Sequence, residues 1–158
     1  MLVEVAQRLE SFVVERNLDA RSEGLLALRP CVIKVLGQTA LLEAKVSLTL
    51  AATNDVDVYA DYEFAIEQEF RRLLAARGRD LDALGSEVWM PTETTFQALF
   101  EGHFVTLLVA DAESVLLSKG LKAARKNRPL LTEYLARGPS ARFLELAQKY
   151  ELDLEQFL

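Results

Sequence analysis

Asp55-Val56-Asp57-Val58-Tyr59 is the stretch that most limits how this chain can fold. Its polar and apolar residues alternate with period two, which reads as a β-strand. In a strand, residues i and i+2 project from the same face. Asp55 and Asp57 therefore stand together on one face, with Val56 and Val58 on the other. Two carboxylates one strand step apart can share one or two divalent cations, and such a pair could hold a metal-bound phosphate. A solvated strand edge would also tolerate the same spacing.

The rest of the chain supplies partners for this strand. Residues 2–16 read as an amphipathic helix with Val5, Leu9, Phe12 and Val13 on one face. Residues 17–30 read as a loop or a broken helix ending at Pro30. Cys31 to Leu36 is a short apolar strand that stops at Gly37, and residues 38–44 look helical. A strand, a glycine and a helix start form the geometry that aims backbone N–H groups at an anion. Residues 62–77 carry a helical stripe of Tyr62, Ile66, Phe70 and Leu73, ended by Gly78. Glu87-Val88-Trp89-Met90 reads as a strand stopped by Pro91. Phe96 to Phe100 is ambiguous, and His103 to Val109 is a strong strand. Asp111 is a good helix N-cap. Pro129 and the Gly138-Pro139-Ser140 segment start two further helices. The element order predicts an α/β (α+β) fold: a mixed β-sheet flanked by helices, with a helical C-terminal portion. One unit over 1–158 is expected, with the sheet in about 1–110 and the helices in 111–158.

Composition narrows the chemistry. The chain has 158 residues and a net charge of −6, so binding to phosphate must be local rather than a property of the whole surface. A single cysteine, Cys31, excludes an intramolecular disulfide and a cysteine-rich zinc site. It reads as a buried apolar side chain in a reducing compartment. His103 is the only histidine, so no histidine zinc triad can form. The N-terminus has an early acid and no basic stretch ahead of a long apolar run, and no segment reaches bilayer length. A cytoplasmic protein with no membrane role is expected. No nucleophile elbow and no phosphate-loop glycine series is present.

Within this acidic chain, residues 119–128 contain five basic residues and no acid. On one continuous helix, Lys119, Lys122 and Lys126 would fall near a common face. They could grip a phosphate chain from the side opposite a metal. A solvated basic face at a helix C-terminus would have the same composition.

Taken in order, Val35-Leu36-Gly37-Gln38-Thr39-Ala40 and Thr53-Asn54-Asp55-Val56-Asp57-Val58 resemble the entry signature of the nucleotidyltransferase (DNA polymerase β-like) superfamily. The stretch from Phe104 through Asp111 and Ser118-Lys119 to Lys122, Lys126 and Asn127 resembles its minimal bacterial branch, the toxin-like AbiEii/DUF6036 groups. The resemblance implies that the Gly37 turn, with Gln38 and Thr39, holds nucleotide phosphates. It implies that Asp55 and Asp57 bind Mg²⁺ or Mn²⁺ on a nucleoside triphosphate, and that Lys119 and Lys122 offset phosphate charge. The implied activity is transfer of a nucleoside monophosphate to an unknown acceptor. RNA, a small molecule or a protein side chain would qualify, and a toxin–antitoxin pair with an antitoxin partner is one setting. Two residues depart from the pattern: Gln38 replaces a small residue, and Asn127 stands where an acid often occurs. The strand that usually offers a third carboxylate has none between Phe104 and Leu108, so Glu101 or Asp111 would have to supply it. A catalytically inactive member of the fold, binding protein or nucleic acid, is the alternative.

Overall fold

The computed structural model describes all 158 residues. Helix α1 (Leu2–Glu23) leads through a loop into β1 (Cys31–Leu36) and α2 (Gly37–Glu43). Strand β2 (Asp55–Ala60), helix α3 (Phe64–Ala75) and the two-residue strand β3 (Asp80–Leu81) follow. A 3₁₀ turn at Gly85–Glu87 precedes β4 (Phe96–Glu101) and β5 (Val105–Ala110). Helices α4 (Ala112–Lys122), α5 (Arg128–Ala136) and α6 (Ala141–Lys149) close the chain, with a last 3₁₀ turn at Leu154–Phe157. No helix is long and apolar enough to cross a membrane.

The five strands form one mixed, open sheet in the order β3-β2-β1-β5-β4. β1 runs antiparallel to β2 and parallel to β5. The alternation expected around Asp55 is present, and it sorts the sheet into two unlike faces. Val35 pairs with Val58 on one side and with Val109 on the other, so the valines of three strands share a face. That face is sealed: Ile33, Val35, Val56 and Val105 are fully buried. Burying each such side chain contributes about 1.5–3 kcal/mol. The core is continuous from Leu2, Val5 and Leu9 of α1 to Leu152 and Phe157 near the C-terminus. The opposite face carries Asp55, Asp57 and Tyr59 of β2, and it is partly open, with Tyr59 57% exposed.

Three expectations are corrected here. Helix α1 continues to Glu23 and ends in a left-handed Gly24 (φ 73°), whose neighbour Leu25 returns its N–H to the carbonyl of Ala20. Glu87 to Met90 is not a strand. Ser118 donates to the carbonyl of Trp89 across 2.5 Å, and the segment is held by side chains rather than by a ladder. Helix α4 stops at Lys122, so residues 119–128 are not one basic helix face.

The helical portion is pinned to the sheet by polar contacts. Asp111 caps α4 by accepting from Ser114 N, and Arg142 of α6 pairs with Asp111 at 2.6 Å while donating to the carbonyl of Glu93. Asp111, placed among possible third carboxylates by its sequence position, is thus consumed by a structural role. Glu101 is an exposed residue of β4.

Candidate functional site

Gly37 links β1 to α2 with a φ of +62°, a conformation that costs other L-residues about 1–2 kcal/mol. The register pairs Leu36 with Asp57, so the turn lies directly against the Asp57 side chain. An added Cβ at Gly37 would stand 2.4 Å from Asp57 Oδ2. Glycine is required here twice, for the backbone angle and for the close approach.

Asp57 has a partner that the sequence did not reveal. After β3 pairs in parallel with β2, the chain turns at Asp82, whose Oδ1 accepts from Leu84 N at 2.9 Å. Gly85 then packs on the backbone of β2: a Cβ there would meet Val58 N at 2.9 Å and Asp57 Cα at 3.0 Å. This tight wrap carries Asp82 alongside Asp57. Burial, followed by the charge of Asp82 and a hydrogen bond with it, pushes the Asp57 carboxyl up to about 6. Lys119 acts in the opposite direction, and Asp55 adds a smaller upward push.

Lys119 of α4 lies near enough to Asp57 for each to act on the other's charge. Its pKa is lowered, mainly by burial and then by repulsion from Lys126, with attraction to Asp57 opposing both. Lys119 and Lys126 both line a cleft of about 340 Å³, together with Gln38, Thr49, Thr53 and Asn127. Pro129 and Leu130 give it an apolar wall. Because α4 ends at Lys122, the following turn brings Lys126 round into the cleft.

The expected residues separate accordingly. Gly37, Asp57 and Lys119 come together, and Gln38 lines the adjoining cleft while its Nε2 donates to the Ala51 carbonyl at 3.0 Å. Asp55 is more exposed than Asp57 and influences it only weakly. Thr39 is buried and ties α2 to β2 by donating to the Asp55 carbonyl at 3.2 Å, so its hydroxyl serves the fold. Lys122 is turned away, with its ammonium 5.1 Å from the centre of the Trp89 ring. Of the three lysines that the spacing placed on one face, Lys119 and Lys126 line the cleft and Lys122 does not.

The donor set determines what cation could fit. No group of three or more His, Cys, Asp and Glu side chains converges to hold a metal by itself. Asp57 and Asp82 are hard oxygen donors that repel one another, which suits an Mg²⁺-type ion completing its shell with water and substrate phosphate. It does not suit an all-protein cage.

No family model, no curated protein and no solved structure matches the chain.

Proposed function

We propose that the protein is a cytoplasmic, metal-dependent nucleotidyltransferase that moves a nucleoside monophosphate from a nucleoside triphosphate to an acceptor hydroxyl. The observations that carry this reading are the Gly37 turn packed against Asp57, the charges of Asp82 and Lys119 acting on that acid, and the cleft that Lys119 lines together with Lys126. A bound Mg²⁺ or Mn²⁺ would supply charge neutralisation on the phosphates. Asp57 and Asp82 are the residues that would hold it. Lys119 and Lys126 offset the charge of the non-bridging oxygens from the cleft side. The acceptor oxygen forms a bond to the α-phosphorus, the bond to the leaving pyrophosphate breaks, and the hydroxyl proton passes to a carboxylate of the pair. RNA, a small molecule or a protein side chain would serve as the acceptor, and an antitoxin-like partner protein belongs to the same reading.

The alternative is a catalytically silent binding module. One observation favours it: Asp55, Asp57 and Asp82 do not close into a three-ligand set. The experiment that separates the two incubates the protein with each α-labelled nucleoside triphosphate, Mg²⁺ or Mn²⁺, and total RNA or protein. Transfer that falls at least about a hundredfold in Asp57→Asn and Asp82→Asn supports the enzyme. Absence of both transfer and metal-dependent triphosphate binding retires it. Triphosphate binding without transfer leaves the silent module.

A further inference from the structure

The loop between α1 and β1 is a stapled arch that displays leucine. Leu26 is 96% exposed, more than any other large apolar residue, and Leu25 and Leu18 are each more than half exposed. The N–H of Leu25 donates to the Ala20 carbonyl at 2.7 Å and fixes one end of the arch. Asn17 of α1 fixes the other: its Oδ1 accepts from Leu28 N at 2.7 Å, and its Nδ2 donates to the Leu28 carbonyl at 3.2 Å. Arg29 N then donates to Glu63 Oε2 at 3.1 Å. The ordering cost of this surface is met within the free chain, so a partner that buries it gains the hydration free energy of the leucines without having to fix the loop. A groove of about 560 Å³ lies along the same arch, lined by residues that include Leu25, Ala27, Leu28, Pro30 and Phe104. Leu26 stands between two of these lining residues and is not one of them. An open apolar groove and an unburied leucine thus share one short, fixed segment.

The charges around the arch select its occupant. At helical spacing, Leu18 lies between Glu15, three residues before it, and Arg21, three residues after it, on opposite flanks. Arg16, Asp19 and Glu23 are exposed on the same turns of α1. None of these five charged side chains forms an ion pair within the chain. An anionic membrane or a strongly acidic partner meets repulsion from the three acids, and a strongly basic partner meets it from the two arginines. A second copy offers both signs, and a knob beside a hole complements itself under a two-fold axis. We propose that the arch and the last turns of α1 form a self-association surface, with Leu26 of each copy seated in the groove of the other. Residues 15–30 supply about a dozen exposed positions, roughly half of what each side of a standard interface uses, so the dimer belongs in the micromolar range.

The test is sedimentation velocity of the whole protein over about 1–500 μM, the range in which a contact of this size dissociates. The wild-type chain is expected to pass from monomer to dimer across the series. Leu26→Asp, at a position too exposed to disturb the core, should move the midpoint at least about tenfold higher, with thermal melting confirming that the variant is folded. Leu158→Asp changes another leucine, 83% exposed at the C-terminus, and should leave the midpoint where it is. A wild-type chain that stays monomeric throughout, or a dimer indifferent to Leu26→Asp, overturns the proposal. Flotation with phosphatidylglycerol–phosphatidylcholine vesicles tests the lipid occupant: a wild-type chain that is monomeric yet floats, and no longer floats as Leu26→Asp, overturns self-association in favour of a membrane surface.

Discussion

Gly37 and Asp57 are in contact across the β1–β2 pair, so closely that a methyl group on the glycine would lie 2.4 Å from Oδ2 of the aspartate. The turn and the acid therefore cannot vary independently. Gly37→Ala meets two penalties, a side chain at φ +62° and an overlap with a carboxylate. Together they should cost about 2–4 kcal/mol, read as a lowered urea midpoint. In an Asp57→Ala background the overlap disappears and only the backbone penalty, about 1–2 kcal/mol, should remain. Equal costs in both backgrounds would show that the acid has room to move aside.

The acid pair gives stability a defined pH dependence. Folded Asp57 holds its proton up to about 6, whereas an unfolded aspartate releases it near 4. Between those values the folded state binds more protons than the unfolded state, so stability falls as pH rises, and the loss is complete above the folded value. Asp82→Asn removes a like charge and should flatten the decline over pH 4–6 in thermal melts. Above pH 6, added Mg²⁺ should raise the melting temperature of the wild-type protein more than that of Asp57→Asn or Asp82→Asn. A melting temperature that climbs steadily from pH 4 to 6 would contradict the assignment of Asp57 as the strained acid.

Much of the architecture around this pair is readable from local pattern, because β1, β2, β5 and α3 each carry enough residues to show their period. Asp82 does not announce itself. Its approach to Asp57 depends on the two-residue strand β3 and on Gly85 lying against the β2 backbone, and neither leaves a periodic trace. Val88-Trp89-Met90 imitates a strand because its apolar run is real, but those side chains pack on the core without a neighbouring strand to pair with. The end of α4 is equally hidden. Lys119 to Arg128 has no proline until Pro129, yet Asn127 turns back on Ala123 and the basic run splits into two directions. Gly85→Ala tests the hidden contact. It should destabilise the protein by about 1–3 kcal/mol and lower the apparent Asp57 pKa by drawing Asp82 away.

The split of the lysines separates charge from position. Lys119 and Lys126 line the cleft, whereas Lys122 caps the Trp89 ring. Lys119→Ala and Lys126→Ala should each weaken tripolyphosphate binding about tenfold, and the salt dependence of binding should become shallower. Lys122→Ala should leave that binding within about twofold, and lose only the modest stability of a cation–π contact, about 0.5–1 kcal/mol. If all three substitutions act alike, the basic segment works as a diffuse charge.

A last prediction concerns a carboxylate far from the acid pair. Glu10 of α1 accepts from three successive backbone N–H groups, His103 at 2.7 Å, Phe104 at 3.0 Å and Val105 at 2.8 Å. Those donors belong to the β4–β5 connection, and Gly102 leaves room for the carboxylate, since a Cβ there would stand 2.6 Å from it. Glu10 therefore fastens the first helix to the hairpin that supports the parallel partner of β1. Glu10→Ala strands these donors and should cost about 2–4 kcal/mol in urea unfolding. Glu10→Gln retains one acceptor oxygen but loses the charge, and should fall about midway. Amide exchange at Phe104 and Val105 should accelerate in the same order, alanine more than glutamine. Faster exchange at Lys34 of β1 as well would show that the loosening spreads into the sheet, whereas unchanged exchange at Phe104 and Val105 in the alanine variant would mean that the carboxylate only decorates a loop the hairpin already holds.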